Sequence, residues 1–208
     1  QKPEGGKDGD GAPKRPTWPK APPEDLQKEA LLKVLDGELP LRVEAHRADE
    51  LLAALRLMRE REVPLLVLEQ AYGAAGIAER IAEQGATVVL TDVLPHSLGG
   101  VYEHFDPCAV PAALARAGVP FAIASGRVRY APLLPLMAAA AVGAGLDESA
   151  ALRALTLTPA EILGIAKDTG SLASGKYADV LVTDAPLLRS DSRVLLVLAK
   201  GRPEFEVQ

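Results

Sequence analysis

An α/β fold follows from three features of the sequence. Short apolar runs are bounded by Pro or Gly, helical stretches separate them, and the runs recur every 22 to 34 residues or so, long enough for a crossover connection between parallel strands. Leu41 to Ala45, Pro64 to Leu68, Thr87 to Thr91 and Val119 to Ala124 read as buried strands. Between them, Asp49 to Arg59 sets Leu51, Leu52, Leu55 and Met58 on one helical face. Gly76 to Gln84 is a shorter helix, and Val110 to Ala117 is a third, stopped by Gly118. Helices are expected again over Pro132 to Ala144 and Asp147 to Leu155. Thr158-Pro159-Ala160-Glu161 then reads as a helix start, with Thr158 as the cap, Pro159 in the first position and Glu161 three residues after the cap; Gly164 ends that helix. From Gly170 the pattern turns to β: Asp179 to Thr183, Arg193 to Ala199 and a closing segment Gly201 to Val207 suggest a small separate sheet.

Composition narrows the classes of function. The chain has 208 residues, 48% hydrophobic and 25% charged, enough to bury a core. Its 28 acidic against 23 basic side chains give a net charge of -5, with no basic face after residue 20, which argues against a nucleic-acid partner. The longest apolar run, around Met137 to Val142, falls short of the ~20 residues a bilayer-crossing helix needs, so no membrane role is expected. A single cysteine, Cys108, excludes an internal disulfide and leaves both a cytoplasmic and an exported location open.

Residues 1–23 are mostly Gly, Pro and charge and read as a flexible linker or arm, since they offer too little apolar surface to offset ordering. The chain opens at Gln1 without a leader, so a signal peptide, a tag or half a protein is expected to be missing upstream. Residues 24–166 hold the four β/α units and 167–208 the terminal strands. Four such units are half of an eight-unit barrel, which takes about 250 residues, and an open half would expose two long strand edges. Either the sheet is of another kind or another chain segment supplies the other half.

The stretch Leu155-Thr156-Leu157-Thr158-Pro159-Ala160-Glu161-Ile162-Leu163-Gly164, followed by Gly170-Ser171-Leu172 and Gly175-Lys176-Tyr177-Ala178-Asp179-Val180, resembles the C-terminal signature of the amidohydrolase superfamily. Residues 39–49 (LPLRVEAHRAD) and 117–125 (AGVPFAIAS) are similar to the fifth and eighth barrel strands of its imidazolonepropionase-like members. The resemblance covers residues 25 to 207 and implies the C-terminal half of a TIM-type (β/α)8 barrel plus part of a small terminal β-sandwich. It further implies hydrolysis of amide-type C–N bonds by zinc or another divalent metal, which lowers the pKa of bound water and polarises the carbonyl. The N-terminal half of the same protein, or a partner subunit carrying the first four strands, would supply the family's His-x-His pair, and an oligomer is expected.

Carried over residue by residue, the family's ligand positions are altered in this chain. The histidine after the fifth strand becomes Glu44, with His46 two residues on and, by strand alternation, on the same side. Gln70 stands where a histidine follows the sixth strand, and Gly126 where an acid follows the eighth. Glycine has no ligand atom in a side chain and glutamine is a poor zinc ligand. Glu44 and His46 are therefore the local metal candidates, and Asp92, His96 and His104, in or beside the loop before the last barrel strand, are pocket candidates. Cys108 lacks an activating partner, no Gly-x-Ser-x-Gly surrounds Ser125, and Lys176 and Asp179 read as structural. Two functions from different classes stay open: an amidohydrolase-like half with a degraded metal site, or a non-catalytic scaffold or ligand-binding module with no metal at all.

Overall fold

The computed structural model describes residues 23, 25–91, 93–94 and 105–207. Within them, β1 (Leu41–Glu44), β2 (Leu66–Glu69), β3 (Thr87–Thr91) and β4 (Phe121–Ala124) form one parallel sheet in the order β1-β2-β3-β4. Val43 lies opposite Leu68, Leu68 opposite Val88, and Val89 opposite Ala122. Helices α2 (Ala48–Glu60), α3 (Ala78–Glu83) and α4 (Val110–Arg116) join successive strands, so the expected β/α alternation and parallel α/β fold are present. A 3₁₀ segment, Tyr72–Ile77, precedes α3.

Alternation along the strands gives the sheet two different faces. Leu66, Leu68, Val88, Leu90, Phe121 and Ile123 point to the helices and join Leu51, Leu55, Met58, Ile81 and Leu114 in the main core. The opposite face carries a smaller apolar patch, Val67, Val89 and Ala122, against which Ala124 and Ile162 pack. Towards the strand ends that face becomes polar, with Arg42 and Glu44 on β1, Glu69 on β2 and Thr91 on β3. Arg42 and Glu69 form an ion pair across the two strands.

After β4 come a 3₁₀ segment (Val128–Leu133), α5 (Leu134–Gly143), α6 (Glu148–Leu155) and α7 (Leu157–Ile162). The start of α7 corrects the sequence reading. Thr158 is not the cap but a buried residue inside the first turn, where Pro159 is tolerated because its missing N–H has no helical partner there. Glu161 does not reach back to a cap; its carboxylate takes two hydrogen bonds from Arg153 of α6, at 2.8 and 3.0 Å. The Oγ1 of Thr156 donates to the Leu152 carbonyl and ties the two helices at their junction. The predicted stop at Gly164 stands: its φ of 71° lets Ile165 N–H reach the Ala160 carbonyl and Gly164 N–H the Glu161 carbonyl.

One helix was not anticipated. Leu26–Leu35 (α1) begins at Asp25, whose carboxylate accepts from Gln27 and Lys28 N–H groups, and it buries none of its own residues. A second sheet, β5 (Val180–Thr183), β6 (Val194–Ala199) and β7 (Arg202–Glu206), is antiparallel in the order β5-β6-β7, at the positions where terminal strands were expected. Asp179 fastens its entry, accepting from Lys200 N–H at 2.8 Å and from Thr169 Oγ1 at 2.9 Å. Lys176 donates to Ser171 Oγ at 2.7 Å, so Lys176 and Asp179 both make local structural bonds. No helix among the described residues is long and apolar enough to cross a membrane.

Candidate functional site at the ends of the parallel strands

The carboxyl ends of parallel strands are where α/β folds place their pockets, and here they hold Glu44, His46, Glu69, Gln70, Thr91 and Gly126. Strand β1 ends at Glu44, and the chain turns at His46 and Arg47 into α2. That turn is held by Glu50, whose Oε2 accepts from His46 N–H at 2.9 Å and Arg47 N–H at 3.0 Å. These two bonds, the Arg47 one first, hold the Glu50 carboxyl below its ordinary range.

His46 is fixed from several sides. Its Nδ1 lies 3.2 Å from the Gln70 carbonyl, and because a carbonyl oxygen can only accept, Nδ1 carries the proton. The ring stacks on Tyr72 with centroids 5.6 Å apart and an interplanar angle of 19°. Gly73 N–H donates to the His46 carbonyl at 2.7 Å, a contact close enough that a Cβ on Gly73 would lie 2.6 Å from Ala48 N. The other ring nitrogen, Nε2, faces Glu44 Oε1 at 3.6 Å. The structure thus brings together the two local metal candidates that strand alternation had put on one side.

At β2 the arrangement rests on backbone rather than side chain. Gln70 has φ 55°, a left-handed conformation uncommon outside glycine, and this turns its carbonyl towards both His46 Nδ1 and Tyr72 N–H. At β4, Gly126 has φ 65°, and a Cβ there would sit 3.0 Å from the Cβ of Thr91. Asp92, His96 and His104 lie outside the described residues.

The residues present do not fit the metal centre that the resemblance implies. Gln70 offers a neutral amide at one expected ligand position, Gly126 offers no side chain at another, and among the described residues no three His, Cys, Asp or Glu side chains converge as a cage requires. Glu44 and His46 alone supply two donors. Cys108 is buried and its thiol donates to the Val93 carbonyl at 3.1 Å; burial, then the nearby Asp106 charge, pushes its pKa up, which suits an inert thiol.

Two concavities flank these elements. An open cleft of about 550 Å³ is lined by Val43, Glu44 and His46 at the end of β1 and by Glu50, Ala54 and Leu57 of α2. A larger groove of about 870 Å³ lies between α2 and α3 on the outer layer, away from the strand ends; its Arg56, Arg59 and Arg80 are matched in number by Asp49, Glu79 and Glu83. Sequence reasoning missed Glu50, Tyr72 and Gly73. Only Glu50 left a signal, a carboxylate three residues after the Arg47 turn, the spacing that closes a helix start.

A half-barrel with its polar groups at the carboxyl strand ends defines the class, and comparison with known proteins gives the family. The sequence profile of the amidohydrolase family matches residues 47–207, and the chain belongs to that family. An amidohydrolase from Thermotoga maritima MSB8 superposes with a TM-score of 0.81 at 30% identity, over 90% of this chain and 49% of that one. An adenosine deaminase from Xanthomonas campestris, solved with bound zinc, shares the fold with a TM-score of 0.61 at 22% identity, over 86% of this chain and 48% of its own. The amidohydrolase tasK of Hapsidospora irregularis is 25% identical over 189 residues, 88% of this chain and 19% of that protein. The chain therefore spans about half the length of these solved relatives and a fifth of the curated one. Divalent metal is usual in the family.

Proposed function

We propose that this chain is the C-terminal half of an amidohydrolase-type barrel whose hydrolytic metal centre has decayed, completed by an N-terminal half of the same protein or by a partner subunit carrying the first four strands. The assembled barrel is kept as a non-hydrolytic ligand-binding scaffold. Gly126 carries this reading. Metal-dependent C–N hydrolysis needs an acid at that position to handle the proton of the attacking water, and a left-handed glycine packed against Thr91 leaves room for none. The neutral Gln70 in the second altered position supports it.

A second reading has one observation in its favour, the 3.6 Å approach of Glu44 to His46. In it, metal-dependent hydrolysis of C–N bonds survives on ligands mainly from the other half, with these two residues as the local contributors. Turnover of the full-length protein, loaded with zinc and offered N-acyl amino acids, dipeptides and cyclic imides, separates the two. We expect only the rate of free metal in buffer. Zinc-dependent turnover well above that rate, lost in the Glu44→Gln, His46→Gln double variant, establishes the second reading instead.

A further inference from the structure

We infer that the corner of the sheet where β3 and β4 end is an oxyanion site, at which Thr91, Gly126 and Arg127 together hold the carboxylate or phosphate group of a small ligand. The inference rests on the ligand-binding reading of the barrel and says which chemical group is bound.

It starts from charge. In a chain with 28 acidic side chains, residues 107–146 contain no Asp or Glu, and Arg116, Arg127 and Arg129 are the only charged residues among them. Two of these three arginines follow directly on β4. The acids on the polar face of the described strands stand elsewhere: Glu44 is on β1, at the opposite side of the sheet, and Glu69 on β2 is already paired with Arg42. Arg127 is exposed and enters none of the ion pairs among the described residues. Two residues on, the Arg129 guanidinium lies 4.9 Å from the centroid of the Tyr130 ring and adds to the positive potential of this turn.

Donors without acceptors supply the rest. The paired register of β3 and β4 ends at Thr91 and Ala124, and Gly126 then takes φ 65°. Beyond that point the N–H groups of Gly126 and Arg127 meet no acceptor among the described residues. The Thr91 side chain lies against the same glycine, with Oγ1 3.6 Å from the point that a Cβ on Gly126 would occupy. Glycine therefore keeps open a space that a side chain at this position would take from Thr91.

A hydroxyl, two successive N–H groups and a guanidinium are thus gathered at one corner of the sheet, and each of them can donate. Backbone N–H groups are obligatory donors, and successive ones in a turn make a concavity that receives an anion. A guanidinium is the side chain best matched to an oxyanion, because its planar fork meets two oxygens of a carboxylate or phosphate at once.

Calorimetric titration of the full-length protein with sodium phosphate and, separately, with sodium acetate tests this, at an ionic strength held constant with sodium chloride. The wild type is expected to bind at least one of the two, and the tighter one names the group. Arg127→Gln is expected to weaken binding about tenfold or more, through the loss of a charged donor, and Thr91→Val about threefold. Arg127→Lys keeps the charge without the fork and should fall between the wild type and Arg127→Gln. Arg116→Gln, on α4 in the same acid-free stretch, is the control and should bind as the wild type does. Arg116 and Arg127 are both exposed, so these variants should fold. Absence of binding of either anion by the wild type, binding unchanged in Arg127→Gln, or an equal loss in Arg116→Gln overturns the site. None of these results touches the scaffold reading, which is judged by zinc-dependent turnover.

Discussion

The two sheets of this molecule are covered very differently. In the parallel sheet, the middle strands hide Leu66, Val67, Leu68, Val88, Val89 and Leu90, because helices close one face and on the other Val67 and Val89 pack with Ala122, Ala124 and Ile162. In the antiparallel sheet no residue of β5, β6 or β7 is buried, although Leu181, Val182, Leu195 and Phe205 are as apolar as any core strand. Strands this apolar are not stable facing water over a whole sheet, and contiguous exposed apolar surface marks a place where something docks. The same holds for α1, which shows Leu26, Leu31, Leu32 and Leu35 to the outside. The parallel sheet is covered across its centre, whereas the antiparallel sheet and α1 leave their apolar side chains exposed, as the proposed completion by another half would require. That contrast is what half of a composite protein should look like, and it agrees with a chain spanning about half of its solved relatives.

The largest effect is expected in the first sheet. Leu68 is fully buried at the centre of β2, and Leu68→Ala should cost about 2 to 5 kcal/mol in a denaturant titration, through lost transfer energy and the cavity left behind. Leu181 on β5 is 45% exposed, and by that exposure alone Leu181→Ala should cost only about 0.5 kcal/mol. In the full-length protein we expect the second substitution to rise to roughly 2 kcal/mol, since a covering layer makes Leu181 a core residue. A cost that stays near the lower figure would mean the antiparallel sheet is bare in the whole protein, and the contrast between the sheets would then have to be explained without a missing half.

A smaller effect is expected where the strand ends meet. Gly73→Ala places a methyl group 2.6 Å from Ala48 N and 3.0 Å from the His46 carbonyl, and both contacts are backbone, which cannot swing aside. The strain should destabilise the protein by about 1 to 3 kcal/mol, the usual range for overpacking. It should also push the His46 turn off Gln70, visible as a change in the histidine ring nitrogen shifts by NMR. An unchanged ring signal would show that the turn relaxes without moving His46, and that Gly73 does not position the ring.

What the sequence made legible, and what it hid, follows from the range of the interactions. The apolar runs announced β2, β3 and β4 because a parallel strand buried on both faces must be apolar nearly throughout, whereas β1 was legible from alternation, with Leu41 and Val43 on one side and Arg42 and Glu44 on the other. The pairing of Glu44 with His46 was readable from strand alternation alone. The start of α7 was misread because Thr-Pro-x-Glu satisfies the local chemistry of a cap, while the actual choice was made by α6, whose Arg153 claims Glu161 from eight residues away. The orientation of His46 was out of reach for the same reason. Its anchor is a main-chain carbonyl 24 residues distant, at a left-handed Gln70 that no side-chain pattern announces. That position 126 offers no side chain was visible as a letter, but its backbone conformation and its closeness to Thr91 needed coordinates.

The smallest effect concerns the junction between the helical region and the second sheet. Asp179 accepts from Lys200 N–H and from Thr169 Oγ1, and these bonds, the backbone one first, hold its carboxyl below the ordinary value of 3.8. A carboxyl whose pKa falls on folding stabilises the native state above its unfolded pKa and loses that contribution as pH drops through the folded one. Thermal midpoints of wild type and Asp179→Ala should therefore differ at pH 7, with the wild type higher, and should converge below pH 3.8 as the carboxylate is protonated. The group is fully exposed, so the gap should be modest and much the same in high salt, since short hydrogen bonds to Lys200 N–H and Thr169 carry it rather than long-range charge. A gap that persists unchanged into acid would assign the role of Asp179 to packing of the turn. The fastening of the second sheet would then rest on the backbone bonds of Tyr177 to Asp168 and Gly201 to Ala178, which do not titrate.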